Sequence, residues 1–234
     1  MIGFDVDVII RSIGYLFREG LTFTIFLTAF AGSLGFAFGV VLALLRNSRS
    51  ASVRWAASAY VNTIRSLPLV LVIFWIFFLV PFITQWVLGS ARPVSIGPVW
   101  SALITFTLFE AAYFCEIVRA GLNSVPSGQG EAASALGLNR SQAFMFVVFP
   151  QAIRNMLPVL LTQFIILFQD TSLVYVVSIT DFLGAAGKVG QRDGRLAEMY
   201  IFSAIVYFVI CFTLSLFARR LQARSLTNLA SAHA

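Results

Sequence analysis

Three carboxylic acids lie inside apolar stretches of the sequence, where an ionised side chain is energetically unfavourable. Glu110 and Glu116 fall in the apolar run 98–118, and Asp170 interrupts the apolar run 155–180. Ionisable groups at membrane depth usually face a water-filled cavity or a partner group. These acids could therefore line a path for a polar solute or form internal pairs.

Asp170 belongs to a cluster of polar side chains within its apolar run: Gln163, Gln169, Asp170, Thr171 and Ser172. Lipid would leave such groups without hydrogen-bond partners, so the cluster is expected to line water or a translocation path. The alternative is a set of interhelical hydrogen bonds that holds a dimer together. Both interpretations stay open for the cluster, and a functional and a structural role stay equally open for Glu110.

Glu116 and Arg119 are spaced i, i+3, which places them on one face of a helix, within reach of each other. We favour a structural ion pair at the cytoplasmic end of the helix over a gating or substrate-binding role. The candidate residues of the translocation path are Glu110, Gln163, Gln169, Asp170 and Thr171.

The sequence contains no set of residues typical of a catalytic site. The single histidine, His233, is one residue from the end, and no His, Cys, Asp and Glu set has the spacing of a metal site. No serine has a plausible base, and the phosphate-binding pattern Gly-x-x-x-x-Gly-Lys-[Ser/Thr] does not occur. We therefore predict no catalytic residue, no metal site and no cofactor bound by this chain, and uphill transport would need a partner's energy.

The composition is that of a membrane protein. Of 234 residues, 59% are hydrophobic and only 11% are charged, more apolar surface than a soluble domain can bury. The formal net charge of +6 comes from basic residues at the ends of apolar runs, which indicates membrane orientation rather than nucleic-acid binding. We predict a single all-α membrane domain, 1–234, with transmembrane spans at about 21–45, 67–89, 98–118, 155–178 and 199–218.

Basic residues predict the orientation of these spans. Ten of them fall on one side and six on the other, which places the N-terminus outside and the C-terminus in the cytoplasm. The first 19 residues are expected to form an amphipathic segment on the outer surface. The stretch Asp181 to Arg195 is expected to be an outer polar loop, and Pro81 to kink or end the second span.

The polar stretch 128–150 separates two of the predicted spans. Ser127 is placed to cap a short helix that holds Glu131 near its positive end, and Gly137 to end that helix in a left-handed conformation. Asn139 and Gln142 can begin a second helix, and Pro150 is expected to break or kink the chain at that point. The sequence thus predicts two short helices across a turn.

The spacing in this stretch resembles the EAA loop of bacterial ABC-importer permeases. Glu131, Ala132 and Ala133 are followed by Gly137 and, after nine residues, by Val147-Val148-Phe149-Pro150; Val147 and Phe149 replace the family's Ile and Leu. In the family such a loop docks into the ATP-hydrolysing subunit. The resemblance thus implies that Glu131, Ala132, Ala133, Gly137 and Pro150 belong to an ATPase-coupling loop.

Further segments resemble the histidine/glutamine/glutamate branch of these permeases, and most closely its glutamate/aspartate members. They are Arg65-Ser-Leu-Pro-Leu, 109–121, 168–175 and 190–194. The resemblance implies a transmembrane dimer in the bacterial inner membrane, formed with a second permease chain of the same or a different kind. It also implies two ATP-binding subunits that use ATP and Mg, an extracytoplasmic solute-binding protein and an amino-acid substrate.

Other functions stay open at this stage. Within the family, a permease for glutamine or basic amino acids is the alternative to glutamate and aspartate. From other classes, a passive channel or carrier would not need a glycine-hinged cytoplasmic loop at this spacing. An intramembrane enzyme would need a reactive pair at membrane depth, and the sequence offers none.

Overall fold

We describe the protein from a computed structural model, which covers residues 4–89, 92–93 and 96–230; His233 lies outside this range. The described residues form helices and connecting turns, without a β-strand. In chain order the helices are α1 (Val6–Arg46), α2 (Ala51–Arg65), α3 (Leu69–Leu88), α4 (Pro98–Asn123), α5 (Ser127–Ala135), α6 (Arg140–Val177), α7 (Phe182–Asp193) and α8 (Leu196–Ala230).

Five of these helices, α1, α3, α4, α6 and α8, are long and apolar enough to cross a membrane. The predicted all-α fold with about five spans is confirmed. Helix α4 is the centre of the bundle. In its most apolar stretch of 18 residues, 72% is buried, against 17% in the corresponding stretches of α3 and α8. The peripheral helices instead expose large apolar side chains, as expected for surfaces that face lipid or a second chain.

The most extensive helix contact joins α1 to α4. Gly35 and Gly39, one turn apart on α1, both face α4. A Cβ atom at Gly39 would lie 2.6 Å from Cβ of Phe114, and one at Gly35 would lie 2.9 Å from Cβ of Glu110. Small residues allow the two backbones to approach, which is the role that the G-x-x-x-G spacing predicts.

Pro81 and Pro150 do not end their helices, contrary to part of the sequence-based expectation. Each follows one π-helical turn, Trp75–Leu79 before Pro81 and Phe144–Val148 before Pro150. A π turn widens the helix, and neighbouring structure can satisfy the carbonyls that a proline leaves free. The helix after Gly137 therefore continues without interruption into the fourth span, rather than forming the predicted short second helix.

Two regions that flank the spans differ in part from expectation. The first residues do form an amphipathic helix, Val6–Tyr15, but it is continuous through a π turn, Leu16–Leu21, with the first apolar span. The expectation of a polar loop at 181–195 is wrong, because this stretch is mostly the helix α7. Both regions pack on α8 around the buried side chains of Val8, Leu16 and Phe182.

Helix α2 was not predicted at all. It packs on α1 and α4, and the Tyr60 hydroxyl donates a hydrogen bond of 2.7 Å to the carbonyl of Leu108 in α4. Ile64 contacts both of the core clusters that surround α4. The C-terminal half of α2 therefore lies along the membrane-crossing part of α4.

Candidate functional site

Glu116 is the centre of an ionic cluster that joins three helices. Arg46, at the end of α1, donates a hydrogen bond to Oε1 of Glu116. Arg119 donates to Oε2 through Nε and Nη2, at 3.1 and 2.9 Å. Arg65, at the end of α2, places Nη1 3.7 Å from Oε1. The i, i+3 contact of Glu116 and Arg119 is therefore part of a larger cluster.

Arg65 also contacts an aromatic ring. Its Cζ atom lies 5.4 Å from the centroid of Tyr113 in α4, within the range of a cation–π interaction. Arg65 is thus connected to α4 both by Glu116 and by the Tyr113 ring.

Glu110 is buried inside the chain, with an exposed fraction of 1%. Nε2 of Gln163 in α6 lies 3.0 Å from its Oε2 and 3.3 Å from its Oε1. These two candidate residues therefore form one interhelical hydrogen-bonded pair between α4 and α6. The pair satisfies both polar groups in the interior, as buried polar groups require.

The other polar side chains of the cluster on α6 differ from one another in burial and in hydrogen bonding. Thr171 is buried and donates from Oγ1 to the carbonyl of Phe168, at 2.7 Å, so its hydroxyl is satisfied within its own helix. Gln169 is exposed and Asp170 is half-buried. In the part of the chain that the structure describes, the Asp170 carboxylate has neither a hydrogen bond nor an ion pair. Gln169, Asp170 and the half-buried Ser172 are therefore the members of the cluster that can face a path.

The end of α6 changes geometry at these residues. The α-helix ends at Asp170 and a seven-residue 3₁₀ helix, Thr171–Val177, follows. Ser178 then has φ +64°, which is unfavourable for a residue other than glycine. The chain turns there from α6 toward α7.

Asp181 caps α7, which lies between the fourth and fifth spans. Its carboxylate accepts hydrogen bonds from the backbone N–H groups of Leu183 and Gly184, at 3.0 and 2.9 Å. Burial raises the pKa of Asp181 to about 6, although these two N–H groups act in the opposite direction. The Tyr207 hydroxyl of α8 lies beside this carboxylate. Asp181 is thus a buried acid whose ordinary ionisation is opposed by its surroundings.

The predicted coupling loop begins with α5. Pro126 rather than Ser127 occupies the position before the helix, and no side chain caps it. Glu131 is the fifth residue of α5, so it does not lie in the first turn as the sequence suggested. Only Ala133 is buried in this helix, whereas Leu136, just after it, is 85% exposed.

The turn after α5 has the predicted backbone conformation and capping hydrogen bonds. Gly137 has φ +87°, which confirms the left-handed conformation. Its N–H donates to the Ser134 carbonyl, at 3.0 Å, and the N–H of Leu138 donates to the Ala133 carbonyl, at 3.2 Å. These two bonds form a Schellman motif. Asn139 and Gln142 then form the predicted capping box, with both hydrogen bonds at 3.0 Å.

Side-chain hydrogen bonds connect α6 to α5 and to the end of α4. Gln151 Nε2 of α6 lies 3.3 Å from Oε1 of Gln129, and Asn155 Nδ2 lies 2.8 Å from Oγ of Ser124. Between α5 and the first turns of α6 lies an open groove of about 700 Å³, lined in part by Glu131, Arg140 and Phe144. The segment 128–150 is therefore a defined, exposed platform at the end of the fourth span.

Sequence reasoning missed three contributors to the polar region. From the sequence, Arg46 and Arg65 are only basic residues near the ends of apolar runs, and nothing in the sequence distinguishes Tyr113 from other aromatic residues. A usable signal was available for Arg46: spans one and three both end on the same side, which brings Arg46 near Glu116. For Arg65 no such signal existed, because helix α2 was not predicted.

Comparison with known proteins agrees with this architecture. The family described as the binding-protein-dependent transport system inner membrane component matches residues 35–226. The glutamate/aspartate import permease protein GltK of Escherichia coli O6:H1 is 46% identical over 225 residues, which cover 96% of this chain and 100% of GltK.

A second relative is the probable glutamine ABC transporter permease protein GlnP of Bacillus subtilis. It is 36% identical, over 88% of this chain and 92% of GlnP. The chain also superposes on a crystal structure of an amino acid ABC transporter with histidines, with a TM-score of 0.83 and 29% identity, over 96% of this chain and 99% of that chain. The chain therefore belongs to the family of binding-protein-dependent inner membrane transport components, as a permease subunit of an ABC importer for amino acids.

Proposed function

We propose that this chain is a transmembrane subunit of an ATP-driven importer of glutamate and aspartate. The observation that supports glutamate and aspartate as substrates is the 46% identity to a glutamate/aspartate import permease over 96% of the chain. Two ATP-binding subunits, a second permease chain and an extracytoplasmic solute-binding protein complete the importer. ATP and Mg are bound by the partner subunits and not by this chain.

The exposed platform 128–150 supports the ATP-driven mechanism. It presents α5, the apolar side chain of Leu136 and an adjoining groove, while a hydrogen bond between Gln129 and Gln151 connects α5 to α6. Because α6 runs from the platform through the fourth span without interruption, a displacement of the platform moves the membrane part of α6. ATP binding by the partners would shift the bundle between inward-open and outward-open states that differ in affinity for the substrate.

The orientation of the chain follows from the same proposal. The platform, the Glu116 cluster and the ends of α1 and α4 lie in the cytoplasm or at its membrane surface. The odd number of spans then places the N-terminus outside and the C-terminus inside. The excess of basic residues on the platform side supports this assignment.

Glutamine is the second candidate substrate, because a probable glutamine permease is 36% identical over 88% of the chain. The test is uptake into proteoliposomes that contain this chain with the ATPase, the second permease and the binding protein co-purified from its native membrane. We expect ATP-dependent accumulation of labelled glutamate and aspartate, with labelled glutamine and arginine at background. Accumulation of glutamine instead would move the assignment to the alternative, and uptake without ATP would favour a passive carrier.

A further inference from the structure

The turn between α1 and α2 concentrates exposed positive charge. Arg49 lies in this turn and Arg54 is the fourth residue of α2, and both are exposed. The sequence contains no Asp or Glu between residues 20 and 109. The acid at this end of the bundle, Glu116, is already shared by three other arginines. Among the described residues, Arg49 and Arg54 form no ion pair, so an anion from outside the chain can approach both.

Hydrogen bonds order the turn that carries these arginines. Nη1 of Arg54 donates to the carbonyl of Ser48, at 2.9 Å. The N–H of Ser50 donates to Oγ of Ser48, at 3.3 Å. The Arg54 guanidinium therefore lies against the turn that holds Arg49, and its other N–H groups stay available as donors.

Exposed apolar side chains flank the turn on both helices. On α1, the exposed residues Phe38, Val41 and Leu45 lie on one face that leads to the turn, and the exposed Leu44 lies beside them. On α2, Trp55 directly follows Arg54 and is 74% exposed. Tryptophan and arginine at the end of a spanning helix are typical of the boundary between acyl chains and headgroups.

An anionic phospholipid has the same order of chemical groups as this surface. Its acyl chains match the apolar face of α1, and its phosphate matches the guanidinium groups at the end of that face, which are suited to phosphate oxygens. A zwitterionic lipid also has a phosphate, but it brings a cation of its own beside two arginines without an acidic partner. Basic groups just beyond a membrane span bind anionic headgroups for this reason.

We propose that Arg49 and Arg54 bind the phosphate group of an anionic phospholipid, whose acyl chains lie against Leu44 and Trp55. In the orientation given under the proposed function, this lipid belongs to the cytoplasmic leaflet. The inference depends neither on the transported amino acid nor on the coupling platform. It can therefore fail while the proposed function holds.

The test is native mass spectrometry of the purified complex in detergent, titrated with dioleoylphosphatidylglycerol or dioleoylphosphatidylcholine. The two lipids share their acyl chains and the phosphate but differ in net charge. Each arginine near a membrane surface contributes about fivefold to the binding of an anionic lipid. We therefore expect the wild type to prefer phosphatidylglycerol by about 25-fold at its tightest site. Arg49→Gln should leave about fivefold, and the double variant Arg49→Gln/Arg54→Gln should have no preference.

Two controls separate this site from a general effect of charge. Arg49→Lys keeps the charge and should stay within about twofold of the wild type. Arg140→Gln removes one exposed charge that lines a groove together with Glu131, and it should leave the preference unchanged. Because the Arg49 side chain has no hydrogen bond within the described part of the chain, Arg49→Gln tests the site even if Arg54→Gln disturbs the turn.

Four results would overturn the inference. The first is an unchanged lipid preference in Arg49→Gln and in the double variant, and the second is an equal loss in Arg140→Gln. The third is displacement of phosphatidylglycerol by millimolar inorganic phosphate, which would indicate a site for a free anion. The fourth is loss of the ATPase subunits from the purified double variant, which would assign the turn to a protein contact.

Discussion

Gln163 and Glu110 connect the fourth span to the third: the amide nitrogen lies 3.0 Å from one carboxylate oxygen and 3.3 Å from the other. Neither side chain faces the outside of the chain, since Glu110 is 1% exposed and Gln163 is 9% exposed. A residue enclosed in this way does not contact a substrate in the conformation described. The pair therefore holds α4 and α6 together.

We predict that Glu110→Gln assembles and imports like the wild type, because the glutamine carbonyl still accepts from Gln163. Glu110→Leu should leave the buried amide without an acceptor, which costs about 1–3 kcal/mol. The midpoint of thermal unfolding of the purified complex would measure this. Gln169→Leu, at an exposed position of α6, is the control. Loss of uptake by a well-assembled Glu110→Gln complex would instead indicate that the charge is used in transport.

The Glu116 cluster gives a second prediction. Glu116→Gln removes the only acid shared by three cations and leaves Arg46 partly buried without an ionised partner. Loss of one member of a buried ion pair typically costs about 3–5 kcal/mol, and partial exposure places the expected loss toward or below the lower end. Arg119→Gln, at an exposed position, should cost at most about 1 kcal/mol. Equal unfolding midpoints for the two variants would contradict a central role of Glu116.

The sequence predicted the fold well where periodicity and turn chemistry are local. Apolar runs located the five spans, and the positive φ of Gly137 and the Asn139–Gln142 box follow from residue types a few positions apart. The failures involve longer-range packing. Polar residues and four glycines made 181–195 look like a loop, but its buried face on α1 and α8 makes it a helix. The π turns that accommodate Pro81 and Pro150 likewise have no simple sequence signal.

The polar site was only partly predictable for the same reason. The spacing of Glu116 and Arg119 indicated their contact, since both lie on one helix. The pairing of Gln163 with Glu110 joins residues 53 positions apart and depends on how α4 and α6 pack. The sequence placed Gln163 and Thr171 with Asp170 in one polar cluster. Gln163 and Asp170 are seven positions apart, so they share about one helix face but lie about two turns from each other. Thr171 is one position from Asp170 and therefore turns to another face.

Asp170 is the subject of a third prediction. Its carboxylate is half-buried at the end of the α-helical part of α6, and no hydrogen bond or ion pair to it is found among the described residues. A group of this kind at membrane depth is expected to serve the path. Asp170→Asn should assemble normally but lower the rate of ATP-dependent uptake at least tenfold. Thr162→Ser, at an exposed position of α6 outside the polar cluster, is the control, because serine keeps the hydroxyl that bonds the Pro158 carbonyl. Failure of Asp170→Asn to assemble would favour a structural role.

Gly137 provides a test of the platform. At φ +87° an alanine costs about 1–2 kcal/mol, although open space surrounds the position where its Cβ would lie. We predict that Gly137→Ala weakens the association with the ATPase subunits and lowers uptake, with little effect on membrane insertion. Gly137→Leu should have a larger effect. Co-purification of the ATPase with the tagged chain measures the association.

Gly128→Ala is the matched control for this substitution. Gly128 also has open space around it, but it lies in α5 without a positive φ, so alanine should be neutral or favour the helix. If both variants retain the ATPase equally, the left-handed turn is not needed for coupling.

Asp181 provides the final prediction, which concerns pH. Burial raises its pKa to about 6, above the ordinary value of 3.8, so the folded protein binds the proton more tightly than the unfolded chain does. The resulting stability is fully present below about pH 4 and is lost as the pH rises through 6. The loss is at most about 3 kcal/mol, from about 1.4 kcal/mol for each pKa unit.

Asp181→Asn cannot titrate and keeps one acceptor for the N–H groups of α7. We therefore expect the unfolding midpoint of Asp181→Asn, measured relative to the wild type, to rise between pH 4 and 6. Asp193→Asn, at the exposed end of α7, should show no such rise, because its pairing with Arg192 lowers the pKa of Asp193. A difference between Asp181→Asn and wild type that stays constant across this range would mean that Asp181 is ionised throughout and acts only as a helix cap.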